Sequence, residues 1–393
     1  MRVAWISYGF LEYSSLHINA MNEHHDVLAV LPEVTADDEQ YKLRPSVERF
    51  LFKKPRLRQP FQQRRSIQSI LKAVYDFKPD VVHFQQGHLW FNFSLKTLQK
   101  DFPLVITIHD PKYHSGDRES KKTPQWVMDL GFRQADHVIV HGEKLANTVG
   151  HLFGIESNRI HSIPHVAMGN MSDQGQLNSV QTDPNLILFF GRIWDYKGLK
   201  YLIEAEPIIT REFPNAKIMI AGEGDDFQKY RSQMVNPDSF IVHNSWISDD
   251  QRAEFFSQAG VVVLPYTDAT QSGVVPVAYN FRKPVVATDV GALSDCVSHG
   301  KTGLLVPPKD PGALAEAILQ LLRNPALAKD MGVAGHEWIS KSGSADYVAA
   351  KHVEAYKRTV IYRARLLAGG GRLVDKPHSS SASSRVLKNK EGL

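Results

Sequence analysis

Short apolar runs alternate with longer amphipathic stretches through the first half of the chain. Val3–Ser7, Val27–Leu31, Val81–Phe84, Val105–Ile108 and Val138–Val140 are predominantly apolar and do not alternate with polar residues, the pattern of strands buried on both faces. Ser66–Phe77 and Phe91–Asp101 instead repeat their apolar residues at helical spacing. Pro79 and Pro103 each stand just before a strand, where helices end and chains turn. The pattern predicts a parallel sheet covered by helices.

From about His165 to Asn185 the alternation stops. Residues 168–183 are rich in Gly, Asn, Ser, Gln and Asp, so 166–185 reads as an interdomain linker. The pattern then restarts with Leu186–Phe190, Ile218–Ala221, Phe240–Val242, Val261–Leu264 and Val285–Ala287. Helical patterns follow over Ala313–Leu322, beyond Pro325 and over Asp346–Leu367. The expected architecture is α/β, with two Rossmann-like doubly wound domains facing a cleft. Residues 1–165 form the N-terminal domain and 186–345 the C-terminal domain. Helix 346–368 is expected to pack back on the first domain, and the tail 369–393, with its Ser379–Ser384 run, to be disordered. Ligands of such sheets bind beyond the carboxyl ends of the strands, here in the cleft.

Composition narrows this picture. At 393 residues the chain is long enough for two or three domains of roughly 150 residues each. Lys plus Arg total 46 and Asp plus Glu 42, a net charge of +4 that gives no reason to expect nucleic-acid binding. The single cysteine, Cys296, excludes an intrachain disulfide or a Cys-based zinc cluster. No apolar run approaches the ~18–20 residues of a membrane span, and the first residues lack a secretion-signal pattern. The expectation is a cytoplasmic protein whose membrane contact, if any, is peripheral. One stretch has that character: Arg49, Lys53, Lys54, Arg56, Arg58, Arg64 and Arg65 follow Glu48 with no further acid, and Phe50, Phe52 and Phe61 are interleaved. Residues 49–65 would meet anionic lipid or a lipid-linked pyrophosphate at about 1 kcal/mol per cation, or else form a solvated basic loop and helix.

The most informative stretch is Phe189-Phe190-Gly191-Arg192-Ile193-Trp194-Asp195-Tyr196-Lys197-Gly198. A strand ends in Gly, then Arg, and a Lys-Gly pair opens a helix. Gly admits a ligand close to the backbone and helix-start amides attract anions. Arg forks onto phosphate oxygens, and Lys adds a point charge.

Three further segments keep the same order as in a known family: Ala221-Gly222-Glu223-Gly224, Lys283-Pro284-Val285-Val286-Ala287-Thr288, and Lys301-Thr302-Gly303-Leu304-Leu305-Val306, the last expected as a turn. With them the chain resembles the retaining nucleotide-sugar glycosyltransferases of the GT-B fold, family 4 group. The first half resembles it through Lys78-Pro79-Asp80-Val81-Val82-His83, Thr107-Ile108-His109-Asp110 and Ala135-Asp136-His137-Val138-Ile139-Val140. The resemblance implies transfer of a sugar from a nucleoside-diphosphate sugar to a glycan or lipid-linked glycan acceptor in cell-surface or exopolysaccharide synthesis. No metal or other cofactor is implied, and the leaving phosphate takes the acceptor proton. His109 would contact the donor sugar, Arg192 and Lys197 the diphosphate, and Gly9, Gly222, Gly224, Ser272, Gly273 and Val274 the substrate through close backbone approach.

One departure matters. The family carries two glutamates eight positions apart, and here Ala269 and Val277 fall on those positions. Asp268 or Gln271 would replace the first glutamate if the loop shifts; Val277 cannot bind ribose hydroxyls. A similar subgroup, of exopolysaccharide type, shares the Gln271-Ser272-Gly273-Val274 run. Arg282, where the family often has Gly, has no evident role. The departure keeps two other readings open: a non-catalytic partner of a polysaccharide assembly system, and a GT-B nucleotide-sugar epimerase.

Overall fold

The computed structural model describes residues 1–33, 42–114, 122–169, 181–224 and 227–368. Residues 170–180 of the predicted linker and the predicted tail, 369–393, lie outside them.

The first sheet is all-parallel, with strands β1 (Arg2–Ser7), β2 (Asp26–Pro32), β3 (Glu48–Phe52), β4 (Val81–Gln85), β5 (Leu104–Thr107), β6 (His137–Val140) and β7 (Ile160–Ser162). Their order is β3-β2-β1-β4-β5-β6-β7. The second, also all-parallel, contains β8 (Leu186–Phe190), β9 (Lys217–Ala221), β10 (Phe240–His243), β11 (Val261–Leu264), β12 (Val285–Thr288) and β13 (Gly303–Val306), ordered β10-β9-β8-β11-β12-β13. These are the two helix-covered α/β sheets of a GT-B protein.

Three strands escaped the apolar pattern, and all are sheet edges. β3 falls inside the basic stretch, and three of its five residues are exposed, with only Phe52 buried. β7 is three residues, none fully buried. Gly303–Val306, expected as a turn, pairs in register with β12 from Val285↔Gly303 to Thr288↔Val306. β3 and β7 lie at edges that face solvent on one side and need no continuous apolar run, whereas Gly303–Val306 is apolar and mostly buried and escaped only because it is short and opens with glycine.

Side-chain alternation divides the first sheet into two different faces. One face, with Ile6, Val30, Phe84, Ile106 and Val140, packs against the helices Pro60–Phe77, Leu95–Asp101, Gln125–Gln134 and Glu143–Phe153 in a largely apolar core. The other presents Trp5, His83, Gln85 and Thr107, aligned by the parallel register (Trp5↔His83, Gln85↔Thr107). Two helices cover that polar face. Leu11–Met21 follows β1, and Ala345–Ala368 returns from the far end of the chain to bury Val348, Val353 and Tyr356 in this layer. The chain thus crosses between the domains twice. The crossings lie side by side, with Ala167 N–H donating to Gly343 O at 2.7 Å.

In the second sheet Ile187, Phe189, Ile218 and Val263 pack under Leu199–Glu212 and Pro311–Arg323, and Leu188, Val262, Leu264 and Ala287 under Asp249–Gln258 and Val274–Asn280. Pro311 and Pro325 each open a helix capped by the side chain before it: Asp310 accepts from Ala313 N–H at 2.9 Å and Asn324 from Leu327 N–H at 3.1 Å. Proline at the first helical position loses no bond there.

Candidate active site

The carboxyl ends of β8 and β11 face those of β1, β4 and β5 across the cleft. On the β8 side, Gly191 lies against the start of helix Val274–Asn280: a Cβ at Gly191 would sit 3.9 Å from Val274 Cγ2. Arg192 follows, exposed, with its guanidinium 3.9 Å from the Trp194 ring. The Lys197 ammonium sits 3.8 Å from the centre of the Tyr266 ring, and Tyr266 OH lies 3.2 Å from Ser272 Oγ. Arg192, Lys197 and the Ser272–Val274 helix start therefore form one neighbourhood. Burial pushes the Lys197 ammonium down to about 8, with the nearby Arg192 charge acting in the same direction. Among the described residues neither cation has a carboxylate within ion-pair distance. The first-turn amides of Val274–Asn280 have no intrahelical acceptor, although Val274 N–H reaches Ser272 Oγ at 3.2 Å. Two cations without a carboxylate partner among the described residues, beside a helix start, make an anion cradle.

Gly222 and Gly224 serve this cradle indirectly. Gly222 has φ +149, and a Cβ there would lie 2.0 Å from Gly191 O; one on Gly224 would lie 2.4 Å from Ile193 Cβ. Both let the turn after β9 press against the turn that carries Arg192. Gly9, after β1, has open space where a Cβ would stand. It lies beside Tyr8, whose carbonyl accepts from Lys54 Nζ at 2.6 Å, so one cation of the basic stretch is committed to the cleft loop.

His109 follows β5 and is buried. Phe10 stacks on its ring at 4.4 Å and 17°, while Phe10 itself is 48% exposed. Around it lie His141 and His165, with ring centres 5.0 and 6.4 Å away. His165 Nε2 would be 3.9 Å from a Cβ on Gly273, so the histidine cluster reaches the helix start across the cleft. Farther in, His17, His83 and His352 continue the cluster around Trp5. Desolvation holds all six imidazoles below their ordinary range. Among the described residues no three His, Cys, Asp or Glu side chains are grouped to hold a metal ion.

The positions that replace the paired glutamates point away from this chemistry. Val277 is buried, its Cγ1 3.3 Å from where a Cβ of Gly169 would stand, against the hinge. Ala269 is buried in the same domain core. Asp268 bridges the domains: His114 Nδ1 lies 2.8 Å from Asp268 Oδ2, and His114 Nε2 3.2 Å from both Asp110 Oδ1 and Thr270 Oγ1. This use of Asp268 conflicts with its standing in for the first glutamate. Two more bridges flank it. Arg252 forks onto Glu12 at 2.9 and 3.2 Å, and Lys144 reaches Asp289 at 3.3 Å. Sequence reasoning missed His141, His165, His114, Phe10 and these bridges. The identical side-chain parity of Trp5, His83, Gln85 and Thr107 was the one signal available for the imidazole layer.

The comparisons with known proteins bear on the fold and the family. Residues 17–166 match the family model for glycosyltransferase family 4, and residues 184–324 that for glycosyl transferases group 1. An uncharacterised glycosyltransferase of Methanocaldococcus jannaschii is 30% identical over 299 residues, 71% of this chain and 75% of its own. The α-D-kanosaminyltransferase of Streptomyces kanamyceticus is 26% identical over 246 residues, 58% of this chain and 64% of that enzyme, just under two thirds. Among solved structures, sucrose-phosphate synthase from Thermosynechococcus elongatus superimposes with a TM-score of 0.71 at 20% identity, covering 94% of this chain and all of that one. Anabaena HepE in complex with UDP-glucose gives 0.66 at 16%, covering 91% and 99%. The fold and cleft are those of a GT-B glycosyltransferase. The chain belongs to glycosyltransferase family 4.

Proposed function

We propose that the protein is a retaining glycosyltransferase that moves a sugar from a nucleoside-diphosphate sugar to a hydroxyl of a glycan or lipid-linked glycan. The observation that carries this reading is the cradle of Arg192, Lys197 and the Ser272–Val274 helix start, two cations without a carboxylate partner among the described residues. Breaking the sugar–phosphate bond leaves charge on the diphosphate. Preorganised donors at such a point contribute about 2.7–4 kcal/mol each. With these two cations as counter-charge the reaction needs no metal ion. The cleft carboxylates Glu12, Asp110 and Asp268 are engaged with Arg252 and His114, which favours a same-face reaction in which the departing phosphate takes the acceptor proton. His109 contacts the donor sugar from the opposite domain, so domain closure completes the site.

The domain division at 166–185 and a role in exopolysaccharide or cell-surface glycan assembly belong to the same proposal. So does peripheral contact of 49–65 with the inner face of a membrane. Exposed Phe61 and cations 53–65 favour that contact, and among the described residues no helix is long and apolar enough to cross one. The buried Ala269 and Val277 favour the second reading, a non-catalytic partner.

Thermal melting against UDP-, GDP- and ADP-sugars tests the choice. A ligand at a hundredfold its dissociation constant stabilises by about 2.7 kcal/mol. The expected result is a shift with one nucleotide family that is lost in Arg192→Ala. Full transfer activity in both Arg192→Ala and Lys197→Ala would overturn the phosphate assignment.

A further inference from the structure

We infer that a chain of hydrogen bonds running from the C-terminal helix to the cleft fixes His109 as the tautomer protonated on Nδ1, so that this residue meets a ligand only as a hydrogen-bond donor. The structural part stands alone; its catalytic consequence rests on the reading of His109 as a sugar contact.

The chain starts at Tyr356, fully buried on helix Ala345–Ala368, whose hydroxyl lies 2.5 Å from His83 Nδ1. Burial keeps this phenol protonated. No other acceptor for the hydroxyl occurs among the described residues. A buried donor left unpaired costs about 1–3 kcal/mol, so the Tyr356 O–H donates to His83 Nδ1. His83 is itself buried and neutral, and its single ring proton must then sit on Nε2. That nitrogen faces Gln85 Oε1 at 3.2 Å, with Thr107 Oγ1 at 3.0 Å. The Gln85 carbonyl accepts from His83, which turns the amide nitrogen toward His109, where it meets Nε2. An amide nitrogen only donates, so His109 Nε2 accepts and the ring proton is left on Nδ1. His109 Nδ1 is buried and unpartnered among the described residues.

Each polar group in the chain is used in one direction, and the direction is set by the single hydroxyl at its head. Reversing it, with the Gln85 amide turned over to accept from His109 Nε2–H, would orphan the tyrosine proton deep in the core, whereas the direction inferred leaves its one free N–H on His109, the residue proposed to meet a ligand. Two stacked contacts fix the ring planes: Trp5 on His83 at 4.0 Å and 20°, and Phe10 on His109 at 4.4 Å and 17°. The accepting nitrogen of His109 is therefore occupied. A neutral Nδ1–H donates to a sugar oxygen and cannot take a proton from the acceptor hydroxyl. Gln85, His83 and Tyr356 act through His109 and are positioning residues.

Long-range 1H–15N correlation on the full, uniformly 15N-labelled protein reads the tautomer of each imidazole. The His109 ring is assigned by its loss in His109→Gln. The expected pattern is Nδ1–H for His109 and Nε2–H for His83; Nε2–H on His109 in the wild type overturns the inference. Tyr356→Phe removes one oxygen and keeps the packing. It is expected to give His109 a mixture of tautomers, and an unchanged Nδ1–H population would show that Tyr356 does not set the direction. Gln85→Leu is expected to lower kcat roughly tenfold, the cost of about one hydrogen bond, at unchanged donor KM. If the wild-type tautomer is as inferred and Gln85→Leu transfers sugar at the wild-type kcat, the tautomer stands and the sugar-contact reading of His109 falls.

Discussion

On the second domain's side of the cleft, Arg192 and Lys197 carry charge without a carboxylate partner among the described residues. On the first domain's side, His17, His83, His109, His141, His165 and His352 are packed among Trp5, Tyr13 and Tyr356 and stripped of charge by burial. The two walls thus meet a polar substrate by opposite means. One offers an excess of fixed positive charge, suited to a group that becomes more negative as it leaves. The other offers neutral, oriented dipoles, suited to hydroxyls that must be held without being ionised. A buried ion on the first wall would cost several kcal/mol in desolvation; a neutral imidazole with one nitrogen satisfied avoids most of that cost.

The largest expected effect tests the imidazole wall. Its folded-state pKa values lie below the unfolded value near 6.5, with His352 at about 4 and His141 at about 3. The unfolded chain therefore binds more protons. Stability is fully present above pH ~6.5 and is lost as pH falls toward those folded values, by about 1.4 kcal/mol per pH unit for each imidazole that must charge. Amide hydrogen exchange between pH 7.5 and 4.5 should show the first sheet losing protection before the second. Simultaneous loss in both sheets would mean the wall is not the weak point.

Next comes the charged wall. Arg192→Ala and Lys197→Ala should each lower kcat/KM by roughly 10²–10³-fold with melting temperature nearly unchanged, since neither side chain is a structural ion-pair partner among the described residues. A loss below threefold in both would erase the contrast between the walls.

A smaller effect sits where the walls touch. Burial opposes charge on His114, but its hydrogen bonds to Asp110 and Asp268 outweigh that and hold it above the ordinary imidazole range. A raised folded value reverses the sign: this bridge is complete below pH ~6.5 and is lost as pH rises through the raised value. Acid should tighten the bridge while loosening the imidazole wall. Asp268 is half-exposed, so Asp268→Asn should cost about 1 kcal/mol or less of closure. It should appear as a larger radius of gyration in small-angle scattering at pH 6, and an unchanged radius would leave the bridge without mechanical weight.

The smallest concerns Arg282, a non-glycine residue at φ +53. Arg282→Gly should raise stability by about 0.5 kcal/mol in thermal melting, strain relief partly offset by glycine's entropy. A fall in stability would show that the arginine side chain makes a contact worth more than the strain.

The difference between the walls also explains what could be read in advance. The charged wall is local: Gly191, Arg192, Lys197 and Ser272–Val274 sit in turns whose composition is visible in the sequence, and Leu186–Phe190 and Val261–Leu264 are strands to the residue. The imidazole wall is assembled by register and by a helix from the far end of the chain. His83 meets Tyr356 across 273 positions, and no local spacing encodes that. Gly222 and Gly224 were recognisable as special, yet the reason is backbone against backbone, visible only once β8 and β9 are adjacent. β3 and β7 stayed hidden because an edge strand is not obliged to be apolar, and β13 because four residues opened by glycine read as a turn until their pairing with β12 is seen.

The return of helix Ala345–Ala368 to the first sheet has a consequence in time. During synthesis the strands of the first domain leave the ribosome well ahead of this helix, by on the order of tens of seconds. Through that interval Trp5, His83 and Gln85 lie under one helix instead of two, and the hydroxyl that orients His109 does not yet exist. The charged wall can be complete while its counterpart is unfinished. The imidazole wall is therefore not closed until helix Ala345–Ala368 has been made, and a product that stops short of this helix would fail at the wall built first.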